Sequence, residues 1–552
     1  MKKKLFKPFA WLTCITILTS SCSSDEYTTP QTQNTISAEI PFTSINMDEN
    51  GQLKMKFAES LANALIANQD LRRLVKEEAL KKFDKDYDVM YQLVKNKSII
   101  PIDYNGKSNG KIDKSTLIKS SQATTFRQAI LPFFKNEAEL IEIEQKLPLL
   151  TIFVPELPLG YFSAETWDVN DENQVPEVAF RLNTSNDIPV IGKDGNKYVI
   201  ESEVTPGFPI IVIKENERLR VKQNHNNINK SAKLANVGFE DFEFIDENFD
   251  PNASTNNPPI VNNNGIDQFL IDSYNVWEGY GPGGWQRDNI YYGLTPSISN
   301  GKVSGKYREY ITSFAMKGDP NVAYLTVSGH TNDPSKVTDY RLNDSSGWTD
   351  GKFEFRAYCF FGAPGAANNS SVVAGTSTTK GMSFKPSDLF ELKYEAFSRF
   401  NWPFKKTYIR TTVVGIKTIN FLDPKYNLSP ELETWDLERF SNEWKFSFEE
   451  VDNTFEITKS ETINQKSNMN FGIDANTGEK VKLGIKFGIS NEKTQATFYS
   501  IKYTEKSDFL GDIFVPFYDN VVNKNPNTQQ IYTRSYSTGY IQFEVRPIQV
   551  QW

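Results

Sequence analysis

Between Trp277 and Asp288 the chain reads Trp-Glu-Gly-Tyr-Gly-Pro-Gly-Gly-Trp-Gln-Arg-Asp. Two indoles and a phenol on a glycine-rich segment, bordered by amide, guanidinium and carboxylate groups, are the residue types that hold a sugar. The flat rings cover its apolar face and the polar groups take its hydroxyls. Trp277, Tyr280 and Trp285, with Gln286 and Arg287 beside them, are therefore the candidate ligand contacts. A plainer reading weighs more. Both tryptophans would anchor the core of the first strands of a β region, and the glycines would make a bulged turn. The glycine spacing is not a phosphate loop, because no Lys-Ser/Thr follows.

Other chemistry finds little support. With 2 histidines in 552 residues, any enzyme built on several imidazoles is excluded. His330 has Asp333 nearby, but no Gly-x-Ser-x-Gly elbow occurs. Neither the paired histidines of a zinc protease nor a Cys-Cys-His cluster is present. No catalytic residue, metal or cofactor is assigned. A glycosidase that draws its two carboxylates from distant strands leaves no spacing signature, so it stays an alternative. Asp84, Asp86 and Asp88 suggest a cation loop, but such a loop needs glycine at its sixth position, where Val89 stands. They read as a solvated turn. Asp168 to Asn173 reads as an acidic loop. Cys359, in Phe-Arg-Ala-Tyr-Cys-Phe-Phe, reads as a buried, inert thiol.

The elements that would position these residues fall into two groups, giving a multidomain α+β chain. Residues 54–95 carry apolar positions at helical spacing (Phe57, Leu61, Ala64, Leu65, then Leu71, Leu74, Val75, Ala79), with Asn68 or Asp70 capping the second helix. Val89 to Val94 resumes the helical pattern. A further helix is expected over Thr125 to Lys146, with Pro132 as a kink or a first-turn residue. Thr151 to Val154 and Phe208 to Ile213 read as strands. Residues 41–221 thus form a mixed N-terminal domain. An Asn/Pro-rich stretch, 222–265, separates it from 266–552, read as mainly antiparallel β with little helix. That region would hold one large or two ordinary sandwiches. Alternation is clearest in Val481 to Ile489, Tyr499 to Tyr503 and Tyr540 to Val550.

The N-terminus carries an address. Lys2, Lys3, Lys4 and Lys7 precede a short apolar run, Leu12 to Leu18, too short to span a membrane. Leu18-Thr19-Ser20-Ser21-Cys22 follows, and this pattern resembles a bacterial lipoprotein signal. The resemblance implies removal of residues 1–21, lipidation of Cys22 with palmitate among its acyl chains, and a tether over 22–40. Ser23-Ser24-Asp25-Glu26 resembles the short acidic export signal of Bacteroidota lipoproteins, which implies the outer face of the outer membrane. Residues 454–504 are similar to the inserting hairpin of aerolysin-like β-pore-forming proteins. Only Val481 to Ile489 supplies the unbroken apolar face a spanning strand needs, so an ordinary hairpin is preferred.

Loss of residues 1–21 removes four lysines and no acids, leaving 57 basic against 69 acidic residues and a net charge of −12. So acidic a chain attracts neither nucleic acid nor an anionic lipid surface over long range. Its membrane partner would be reached through the lipid alone. The expected role is non-catalytic binding or adhesion toward an extracellular glycan or protein. A pore-forming or membrane-attacking protein is the first alternative and a glycoside hydrolase the second.

Overall fold

The computed structural model describes residues 40–99, 124–222, 239–253, 265–279, 284–298, 300–329, 347–363, 372–401, 404–426, 431–451, 456–468, 485–486, 492–504 and 507–550. Cys22, Tyr280, both histidines and most of the alternating run 481–489 lie outside them.

Two helices open the N-terminal part: α1 (Glu49–Ala67) and α2 (Gln69–Leu80). Asp48 caps α1 by accepting the Gly51 N–H, and Leu53, Phe57, Leu61 and Leu65 make its buried stripe. Asn68 leaves the helical conformation at φ −137°, ending α1, and its side chain accepts the Leu71 N–H at 3.0 Å to start α2. One polar residue thus separates two helices, as its position suggests. The expected helix over 125–146 is broken. Thr125 and Gln128 form a capping box for Phe126–Ile130, Pro132 sits in a 3-10 turn, Leu131–Phe133, and Asn136 caps a separate helix, Glu137–Lys146. Proline has no N–H to continue the ladder.

Behind these helices lie β1 (Asp88–Met90), β2 (Leu150–Phe153), β3 (Glu177–Phe180), β4 (Ile188–Ile191), β5 (Lys197–Ile200) and, after β6 (Val204–Pro206), β7 (Ile210–Glu215). All but β6 form one sheet of order β1-β2-β7-β3-β4-β5. Only β3–β7 in it is parallel, and strands β2, β3 and β4 are buried throughout. Residues 88–90 are therefore strand, and helix resumes only as Tyr91–Val94. β8 (Leu219–Val221) pairs with β9 (Phe242–Phe244), so the apolar island inside the Asn/Pro-rich stretch packs home. Phe242 joins Met90 and Leu219, whereas Ile245 and Phe249 join Val451.

The remaining strands are β10 (Asn300–Gly301), β11 (Tyr307–Met316), β12 (Phe353–Gly362), β13 (Val373–Ala374), β14 (Thr376–Phe384), β15 (Phe390–Asn401), β16 (Phe404–Ile416), β17 (Ile419–Asn420) and β18 (Glu443–Glu450). They continue as β19 (Glu456–Asn468), β20 (Ile485–Lys486), β21 (Glu492–Thr504), β22 (Asp508–Pro516), β23 (Val522–Lys524), β24 (Ile531–Thr533), β25 (Ser535–Ser537) and β26 (Ile541–Gln549). Sheets β14-β12-β18-β22 and β17-β11-β26-β25 face each other across an aromatic core. Phe314 from one meets Phe355 and Phe448 from the other at 5.0 and 6.3 Å. This is the sandwich expected of the alternating segments. A third layer, β13-β21-β19, covers the outer face of β12 through Ile463, Tyr499 and Ile501 against Tyr358 and Phe360. Cys359 is buried in the aromatic core, and burial pushes its thiol pKa well up.

This half is mainly antiparallel β with little helix, as expected, but two details are corrected. The short helices Gln268–Gly279, Gln286–Tyr292, Pro320–Ser328 and Pro386–Leu389 include the segment expected to open the first strands, so Trp277 lies on a helix and Trp285 caps one. The predicted hairpin is also repartnered. β19 runs against β21 over its whole length, from Glu456↔Thr504 to Asn468↔Glu492, whereas Ile485 and Lys486 pair with Asn300 and Gly301. No described helix is long and apolar enough to cross a membrane.

Candidate functional site

The candidate contacts read from the sequence are drawn into the core. The Gln286 side chain accepts the Val521 and Val522 N–H groups at 3.0 Å and donates to the Val522 carbonyl at 2.7 Å. Arg287, fully buried, donates from Nε to Glu309 at 2.7 Å and from Nη1 to the Asp519 carbonyl at 2.8 Å, with its guanidinium 4.6 Å from the Trp435 ring centre. Both bind chain segments more than two hundred residues away, which corrects their reading as ligand contacts. Their polar groups are spent on the fold. Trp285 is half-buried against Phe517 and Tyr518, and Trp277 is half-buried against Tyr274. The plainer reading of both tryptophans as core anchors holds, on helices instead of strands. Residues 286–292 are all buried, polar side chains included, which leaves them no face to offer a ligand.

The supposed solvated turn is the larger surprise. Asp84, Asp86 and Asp88 are 0, 5 and 2% exposed. Asn216 donates its amide to Asp84 at 2.7 Å and to Asp88 at 3.3 Å. Arg218 donates from Nε to Glu354 at 2.7 Å, from Nη2 to Asp86 at 3.1 Å, and from Nη1 to the Asp84 carbonyl at 3.1 Å. A guanidinium occupies the centre where a cation loop would hold its ion. Beside it, Arg181 pairs with Glu217 and, at 2.8 Å, with Asp350, while Lys214 donates to the Asp350 carbonyl at 2.9 Å. Burial of so many charges is tolerable only because each sign finds the other. Burial with neighbouring Asp84 and Asp86 raises the Asp88 pKa well above its ordinary value despite Lys214, whereas at Asp86 burial is outweighed by Arg218 with Lys352 and Lys214 and the pKa falls. Among the described residues no group of His, Cys, Asp or Glu is arranged to hold a metal ion. The loop at 168–173 is exposed, and its Asp168 and Asp171 side chains accept the N–H groups of Asn170 and Asn173.

This network locks the first core to the second, since Glu354 lies on β12 and Asp350 just before it. It also fixes the short turn Gly347–Thr349, which carries Trp348. There a cleft of about 410 Å³, counting its open mouth, runs between the two cores. Tyr324 and Leu325 from helix Pro320–Ser328 line one side, and Trp348 another. Thr411 and Val413 of β16 complete it together with Thr205 of β6 and the neighbouring Glu203. The walls are placed by pairing that crosses the chain, because β6 adds to hairpin β15–β16 with Ile409 opposite Thr205. Asp319 caps the helix by accepting the Asn321 and Val322 N–H groups, setting Asn321 at the rim. The Tyr324 ring is held edge-on by Phe353 and Phe390 at 6.1 and 5.2 Å. Trp348 is half-buried and packs on the first core. Two aromatic rings, two threonines, an asparagine amide and an exposed carboxylate at the mouth form a pocket suited to a hydroxyl-rich ligand. Sequence reasoning passed over Trp348 and Tyr324, because they stand apart in sequence and share no motif.

No family model, curated protein or solved structure matches the chain.

Proposed function

We propose that the protein is a lipoprotein held in the outer membrane through Cys22 and facing the cell exterior, where it binds an extracellular glycan without catalysis. The observation that carries the binding reading is the cleft, in which Trp348 and Tyr324 meet the side chains of Thr205, Asn321 and Thr411 between two locked cores. Rigid aromatic walls cost little entropy when a flat ring docks. The address rests on Leu18 to Glu26 and on the acidic charge of the mature chain, which leaves the lipid as the membrane contact.

The test uses the full chain in detergent on an array of polysaccharides and surface proteins. Binding to a glycan is expected, weakened about tenfold or more by Trp348→Ala and by Asn321→Ala. Asn321→Ala, at the rim, is expected to leave the melting point unchanged. Binding to proteins alone, or glycan binding untouched by both changes, overturns the assignment. Protease shaving of intact cells, with a periplasmic protein as control, tests the address separately.

A further inference from the structure

A second, shallow opening, of about 250 Å³ counting the solvent at its mouth, lies where the start of helix Gln268–Gly279 meets the end of β26. Its lining is Gly265, Asp267, Leu270 and the strand run Arg546–Gln549. Arg546 is only 9% exposed, and its Nε–H is buried without an acceptor. No described residue makes an ion pair or a side-chain hydrogen bond with it. Arg72, Arg218 and Arg287 are buried at least as deeply, and each has a carboxylate.

The carboxylates near Arg546 are committed elsewhere. Tyr310 stands opposite Arg546 across the β11–β26 ladder, and Glu431 beside it takes the Tyr310 hydroxyl at 2.7 Å and pairs with Arg308. Asp267 accepts the Phe269 N–H at 2.8 Å and the Tyr307 hydroxyl at 3.2 Å. Glu544, two residues back on the same face of β26, accepts the Thr533 hydroxyl at 2.8 Å. Leaving a guanidinium buried and unpaired costs several kcal/mol in general, a cost a bound anion would offset. Beyond Glu544 no described strand pairs with the outer edge of β26. The nearby helix start adds the positive end of its dipole.

We propose that this opening binds a small oxyanion, a carboxylate, sulfate or phosphate group, through the Arg546 guanidinium. The planar fork presents two parallel N–H groups to two oxygens, a match an ammonium cannot make.

The experiment measures melting point and calorimetric binding of the full chain in detergent. Sodium sulfate, sodium phosphate or sodium glucuronate is titrated against sodium chloride of equal ionic strength, because excluded salts stabilise proteins without binding. At least one oxyanion is expected to raise the melting point saturably. Arg546→Met is expected to abolish that rise and weaken the affinity about tenfold or more, and Arg546→Lys to fall between. In chloride alone Arg546→Met melts no lower than the parent, since the charge it removes makes no ion pair and feels only the attraction of Glu544 against its burial. Saturation by sulfate or phosphate alone points to a free inorganic anion, by glucuronate alone to an acidic sugar, and by both to the oxyanion group itself. An adventitious ion only, shown by equal rises in parent and variants, overturns the proposal. So does the absence of any saturable rise, or a variant that melts lower in chloride yet binds unchanged.

Discussion

The turn at 84–88 and the segment at 277–288 invert each other's expectations. The first carries three aspartates and reads as solvated, yet it lies buried in a network of ion pairs. The second carries rings and hydrogen-bonding groups and reads as a ligand surface, yet its amide and guanidinium tie distant strands together. The two differ in how many carboxylates their central arginine holds. Among the described residues Arg218 meets Asp84 and Asp86 of the turn and Glu354 of β12, whereas Arg287 meets Glu309 alone. A buried arginine with one carboxylate pins a neighbour, and one with three joins two cores.

The largest expected effect tests that difference. Arg218→Met leaves three buried carboxylates uncompensated and is expected to cost about 3–5 kcal/mol or prevent folding, read by urea denaturation. Arg287→Met strands one carboxylate, Glu309, and is expected to cost about 3 kcal/mol. Were it the more damaging of the two, the comparison would fail. Trp285→Ala removes a half-buried ring from Phe517 and Tyr518, with an expected loss of about 2 kcal/mol and no change in glycan binding. If binding vanished while the melting point held, the segment would be a ligand surface after all.

Asp88 gives the subtlest test. Its pKa is raised on folding by burial and by Asp84 and Asp86, so its stabilising contribution is complete in acid. That contribution is lost as the pH climbs from the ordinary carboxylate range through the raised value. Asp86 has the opposite sign, its pKa being lowered, and its contribution fades as the pH falls. Asp88→Asn removes the first dependence only. Its melting point is expected to gain on the parent as the pH rises, by at most about 1.4 kcal/mol per pH unit in stability. A difference independent of pH would mean that Asp88 is ionised in the folded protein.

Much of the fold was legible locally. The stripe of Phe57, Leu61 and Leu65, the cap at Asn68 and the alternation at Tyr499 to Tyr503 and Tyr540 to Val550 each reflect neighbours within a few residues. Pairing was not. β19 finds β21 across a long insertion, and β6 finds β16 about two hundred residues on, because a strand's partner depends on which edge is left open. The cleft was invisible for the same reason. Trp348, Tyr324 and Thr205 become neighbours only after two cores have docked.

By itself, then, the sequence determined the class of fold, the apolar faces, the inert thiol and the acidic character, all of which follow from side-chain type and local period. The tertiary structure alone decided which charges are buried. Asp84, Asp86 and Asp88 can leave water only if Asn216 and Arg218 replace its hydrogen bonds, and no local pattern announces partners that far away. Conversely, the fold can bury Arg546 without supplying such a partner, and only the assembled structure exposes that omission.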